Sequence, residues 1–166
     1  MLLKSILITC VVGATSCTWG AAQVDVRVEP THLQGPRLLQ EQTQSAAIRD
    51  YLQAWKTVNA AFDGNDTATL DRDFVGTAHD KLSEAVRQQA ALGLHTHYVD
   101  KSHDIQIVFY SPEGLSIELT DTVQYDVQIL DRDKVLSTQQ VSARFIVVLT
   151  PAEVRWRVRV FQTQFE

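Results

Sequence analysis

Asp121 is the residue that raises a chemical question. In Leu115 to Ile129, LSIELTDTVQYDVQI, every second residue is apolar (Leu115, Ile117, Leu119, Val123, Tyr125, Val127, Ile129) except Asp121. The intervening row, Ser116 to Gln128, is wholly polar. Such alternation marks a strand with one buried face, and a lone carboxylate on that face is costly unless it is hydrogen-bonded or protonated. Three roles are open. Asp121-Thr122 can mark a β-bulge or a structural hydrogen bond that lets the side chain reach the rim, Asp121 can be a polar contact to a ligand, or it can be a general base. A base that moves a proton beside a carbonyl needs a second group for the developing oxyanion, and Tyr125 is the nearest donor on the same face.

Other residues invite chemistry less specifically. His95 and His97 alternate on a strand and could both reach one metal ion, with Asp100, His103 and Asp104 close by. They begin where a helix ends, and Lys101 adds positive charge, so a titrating rim explains them without a metal. Tyr51, Trp55, Tyr125, Phe145 and Trp156 could line an apolar ligand pocket between a helix and the sheet, or fill a core. Arg155, Arg157 and Arg159 form a thin basic row on the last strand, where cross-strand pairing with Glu118 and Asp126 is the plain expectation. No phosphate-cradling glycine loop and no serine or cysteine nucleophile signature is present, so no cofactor and no covalent catalysis is expected.

The elements that must position these residues are legible from periodicity. Ile48, Tyr51, Leu52, Trp55, Val58 and Phe62 recur at spacings of three and four, a helical stripe that Asp63-Gly64-Asn65 ends. Asp66 caps a short helix over 67–72. Thr77 with Asp80 resembles a capping box opening a third helix, which Gly93 terminates. The rest alternates with period two: Ile105, Ile107 and Phe109; the stretch containing Asp121; Val141 to Leu149; and Val154, Trp156, Val158 and Val160. The turns Ser111-Pro112-Glu113-Gly114 and Asp131 to Lys134 make hairpins of these strands. The expectation is an α+β domain over 44–166, three N-terminal helices packed on a curved four-stranded antiparallel sheet. Residues 23–43, with Pro30, Gly35 and Pro36, read as a linker or arm, and Val24, Val26 and Val28 suggest a short strand there.

The N-terminus differs in kind. Lys4 precedes the apolar run Ser5 to Ala14, too short to span a bilayer but of the length found in signal peptides. Cleavage after Ala22 gives a signal peptide over 1–22. Ala14-Thr15-Ser16-Cys17 resembles a bacterial lipobox, which would end the leader at 16 and place a lipid on Cys17. Export to the periplasm or cell envelope is the expectation under both, with membrane contact only through the leader or the lipid. Cys10 and Cys17 are the only cysteines, so the domain itself holds no disulfide and no thiolate metal site. The 166-residue chain carries 15 Lys and Arg against 20 Asp and Glu, a net charge of −5, which argues against nucleic acid as a partner.

The element order, the aromatic first helix (Tyr51, Trp55, Phe62), the third-helix ending Ala90 to Leu94 and the closing strand Val154-Arg155-Trp156-Arg157-Val158 together resemble the nuclear transport factor 2-like superfamily, in its exported bacterial form. The resemblance implies a cone of helices within a curved sheet and pairing of two copies through the open sheet. It also implies one of two functions. The first is a non-catalytic binding or scaffolding module that takes a protein or a small apolar ligand. The second is a small enzyme or hydrophobic-ligand binder that uses the cone pocket with Asp121 as base.

Overall fold

The structure, a computed structural model, describes residues 23–31, 33 and 37–164. The leader and Cys17 lie outside the described residues. In chain order the elements are strand β1 (Asp25–Val28), helix α1 (Glu41–Gly64), a 3-10 turn (Thr67–Arg72), helix α2 (Gly76–Ala91), and strands β2 (Leu94–Tyr110), β3 (Ile117–Asp131), β4 (Lys134–Pro151) and β5 (Trp156–Gln164). Among the described residues the sheet has five strands in the order β1-β2-β3-β4-β5. The expected four form its antiparallel body; β1 adds a parallel edge against Ser102 to Ile105 of β2.

The apolar stripe of α1 lays Ile48, Tyr51, Trp55, Val58 and Phe62 against the sheet, all buried. Asn65 closes the helix in the left-handed conformation, φ 52°, where a short polar side chain is tolerated. Asp66 caps the next turn as expected, its carboxylate accepting from the Ala68 N–H at 3.0 Å, although that turn is a 3-10 helix. The capping box at α2 does not form. Val75 is the N-cap, and the Thr77 hydroxyl instead donates to the Arg159 carbonyl on β5 at 3.0 Å, docking the helix onto the sheet.

Bulges correct the sequence reading of the sheet, because one extra residue swaps which side chains face inward. The register of β2 against β3 slips at Lys101 and again at Val108. Asp100 pairs with Tyr125 and His103 with Val123, so an even-numbered inner row gives way to the odd row His103, Ile105, Ile107. Past Val108 the inner position passes to Tyr110, and Phe109, expected in the core row, is 47% exposed. A slip between β4 and β5 does the same at Arg159. Val158 opposes Leu149, but Phe161, not Val160, opposes Val147. Val154 lies outside β5 and is 80% exposed. No bulge occurs at Asp121: β3 runs through it in register with Ile105 on one side and Phe145 on the other. The sheet bends where its neighbours carry the extra residue.

Candidate functional site: a sealed aspartate–histidine pair

Asp121 sits at the floor of the cone with no exposed surface. Its Oδ2 accepts the Tyr51 hydroxyl at 2.7 Å and faces His103 Nδ1 at 2.6 Å. With a carboxylate as the acceptor, Nδ1 carries the donated proton. The Tyr51 oxygen in turn accepts the Trp55 indole N–H at 2.7 Å. Tyr51 and Trp55 are four residues apart on α1, so one helical face presents both polar tips of that stripe to the strand. Burial first, and then the negative charge of Asp121, push the Tyr51 phenol well above its ordinary pKa, which keeps it a neutral donor.

Aromatic rings seal the pair. His103, 2% exposed, stands at 5.4 Å from the Trp55 ring, edge to face. Trp55, 3% exposed, also meets Tyr125 at 5.8 Å, Phe145 at 5.2 Å and Phe161 at 5.3 Å. Phe145 and Phe161 stack at 4.9 Å. Four of the five candidate pocket residues, Tyr51, Trp55, Tyr125 and Phe145, therefore come together, but as packing around Trp55. Trp156 is not in this ring cluster: it is half-buried at the start of β5, where its backbone N–H donates to the Asp50 carboxylate at 2.9 Å. Phe161 takes the expected place, brought inward by the bulge at Arg159. Tyr125 is not among the hydrogen-bond partners of Asp121 and packs on Tyr98 and Trp55.

Asp100 is a second acid nearby with an unsatisfied oxygen; Asp121 Oδ1 is likewise without a partner. Burial, and then the charge of Asp121, raise its pKa, while His103 acts in the opposite sense, and its Oδ1 is buried without a hydrogen-bond partner. A carboxyl whose folded pKa lies above the unfolded one opposes folding when ionised, and the penalty fades as pH falls through the folded value. Asp100→Asn is therefore expected to raise Tm at pH 7 by about 2–4 °C, the shift that about 1 kcal/mol gives in a chain of this size. The gain should disappear below about pH 4, where the acid is protonated in both states. Thermal melts of both proteins across pH 3 to 8 check this, and an equal or lower Tm at pH 7 contradicts it.

The remaining candidates serve the frame. His95 donates through Nδ1 to the Asp63 carbonyl at 2.8 Å, and His97 Nδ1 lies 3.5 Å from the Asp63 carboxylate, so both tie β2 to the end of α1. Arg155, just before β5, and Arg157 within it do not pair with Glu118 and Asp126 as expected. Arg155 donates to Asp73 at 3.2 Å and Arg157 to the Phe74 carbonyl at 2.8 Å, while Asp126 takes Lys101 at 2.6 Å. Asp73 is buried, which alone would raise its pKa, but hydrogen bonds from Arg72, Thr57 and Arg155 outweigh this and hold it below the usual carboxylate range. This cluster fastens the 3-10 turn to α1 and β5.

No protein-family profile and no curated protein matches the chain. Solved structures do match. The intermembrane space region of chloroplast protein ARC6 superposes with a TM-score of 0.64 at 15% identity, covering 79% of this chain and 100% of that one. A scytalone dehydratase-like protein from Novosphingobium aromaticivorans gives 0.53 at 12% identity, covering 76% and 89%. The chain has a nuclear transport factor 2-like fold. In this nuclear transport factor 2-like cone the helices and the sheet enclose side chains, with Asp121, His103 and Tyr51 at the floor and Trp55 above them. At such identities the likeness carries the fold and leaves function to the site.

Proposed function

We propose that the protein is a non-catalytic binding or scaffolding module of the bacterial envelope. The observation that carries this reading is the complete burial of Asp121 beneath Trp55 and its ring neighbours, with Oδ2 held by Tyr51 and His103 and Oδ1 buried without a partner. A general base must come within hydrogen-bond reach of a substrate proton, and a carboxylate without exposed surface offers no such approach. Export rests on the leader pattern of 1–22, with Cys17 as the acylation candidate. A similar fold in an intermembrane space region fits a domain working beside a membrane.

The rival reading, a small enzyme or apolar-ligand binder, draws on one observation: an aspartate, a histidine and a tyrosine in hydrogen-bond contact are a chemically competent proton-handling set, and a scytalone dehydratase-like protein shares the fold. One comparison separates the two. Incubated with cyclohexanone in D2O, the protein is expected to give no deuterium incorporation above buffer and no thermal shift. Exchange that Asp121→Asn abolishes would establish the enzyme reading instead. Mass spectrometry of the protein from its producing cell addresses location: a mature N-terminus at Gln23 or an acylated Cys17 is expected, and a cytoplasmic chain retaining Met1 contradicts export.

A further inference from the structure

We propose that the concavity between the 3-10 turn and the β4–β5 turn is a binding site for a phosphate group, held by Arg72, Arg155 and Arg157. This space of about 430 Å³ is lined by residues that include the three arginines, Asp71, Glu153 and Val154. Its construction starts from Asp73, which is 2% exposed. One oxygen of that carboxylate accepts Nε and Nη2 of Arg72 at 2.9 and 2.8 Å, and the other accepts Nη1 of Arg155 at 3.2 Å. Arg157 is fixed from the backbone, its Nη2 donating to the Asp71 and Phe74 carbonyls. Three long cationic side chains are thus held before a ligand arrives, which lowers the ordering cost of binding.

Fastening the turn does not exhaust what these side chains offer. A single buried carboxylate balances a single guanidinium, so two of the three positive charges remain. Arg72 and Arg155 keep 52% and 35% of their side chains exposed, and Arg155 spends only Nη1 on Asp73. Arg157 Nε is buried with no acceptor among the described residues, an arrangement that is costly for a charged donor. A tetrahedral oxyanion matches these features, because its several oxygens each accept charge-assisted bonds from guanidinium groups. Of the two lining acids, Asp71 faces His79 Nε2 at 2.8 Å, which leaves Glu153 as the carboxylate that opposes the anion. Val154, 80% exposed on the same turn, adds an apolar side chain beside the site. A free phosphate and a lipid headgroup share this chemistry, and Val154 serves only the second. The site depends neither on the sealing of Asp121 nor on export.

Titration of the protein with sodium phosphate at constant ionic strength, followed by NMR at the arginine Nε–H groups, tests this beside flotation with vesicles of phosphatidylglycerol or of phosphatidylcholine. Saturable shifts at Arg155 and Arg157 are expected. Arg155→Gln, first checked for a folded spectrum, should weaken binding by at least about tenfold, the loss of charge-assisted hydrogen bonds. Arg159→Gln removes the same charge from an exposed position outside the lining and should leave affinity within about twofold. Glu153→Gln, also at an exposed position, should tighten binding, a gain that a purely structural cluster would not show. Flotation with phosphatidylglycerol that both Arg155→Gln and Val154→Asp abolish assigns the phosphate to a lipid; saturable phosphate binding without flotation assigns it to a free phosphate. A wild type that binds neither probe overturns the proposal. So do equal losses in Arg155→Gln and Arg159→Gln, or weaker binding in Glu153→Gln.

Discussion

Replacing His103 with leucine is expected to lower stability by about 3–5 kcal/mol, the cost of leaving a buried carboxylate without its charged or hydrogen-bonded partner. Asp121 would keep the Tyr51 hydroxyl, but its other donor would be gone, and bulk solvent does not touch this side chain. Asp121→Leu alone should destabilise by a smaller amount, since it removes the buried carboxylate itself and leaves a phenol that still accepts from Trp55. The double variant His103→Leu/Asp121→Leu is expected to be more stable than His103→Leu, because it leaves no buried carboxylate without its partner. Urea unfolding of the four proteins measures the coupling. Additive losses would mean that the two side chains do not depend on each other and that their contact is incidental.

Trp55→Ala carries the second large effect, about 3–5 kcal/mol, as expected for removing a buried aromatic ring. Three losses coincide. The ring is the shared neighbour of His103, Tyr125, Phe145 and Phe161, so its removal leaves a void that these side chains cannot all fill. Its indole N–H is the donor to Tyr51, whose oxygen then keeps only the contact to Asp121. The floor of the cone also becomes reachable from above. Trp55→Phe should recover most of the packing but not the hydrogen bond, and is expected to lie between the two by about 1–2 kcal/mol below wild type. A loss under 1 kcal/mol for Trp55→Ala would mean that the interior is loosely packed and open to ligand.

What the sequence made legible follows from how local each signal is. The stripe from Ile48 to Phe62 is a long periodic run, and α1 forms where it predicts; Asn65, Asp66 and Gly93 mark boundaries by side-chain chemistry that needs no tertiary context. Strand alternation likewise located β2 to β5. It could not show the single-residue bulges at Lys101, Val108, Leu136 and Arg159, because a bulge leaves composition unchanged while inverting the inward row. Phe109 was misplaced, and Phe161 missed, for that reason alone. The parallel pairing of β1 was hidden because its partner on β2 is distant in sequence.

The site divides along the same line. Asp121 was conspicuous because it breaks an apolar row, but its depth depends on how α1 crosses the sheet. His103 was concealed within the polar run from His95 to Asp104, where it read as one more rim histidine. A signal was available: His103, Ile105 and Ile107 share one parity, and their row lies opposite the strand that carries Asp121. Tyr51 entered as pocket lining, yet its hydroxyl is the group that secures the carboxylate. The lone aspartate is thus one member of a buried polar network of four residues, Trp55, Tyr51, Asp121 and His103.

The central claim, that this network is sealed and structural, is tested most directly by histidine modification of the native protein with diethyl pyrocarbonate, read residue by residue by mass spectrometry. His97, with its exposed side chain, serves as the internal reference. His103 is expected to stay unmodified while His97 reacts, and to become reactive in Trp55→Ala under conditions where that variant remains folded. Modification of His103 in the wild-type protein at a rate comparable to His97 would show that the cone opens to solvent, and would contradict the account.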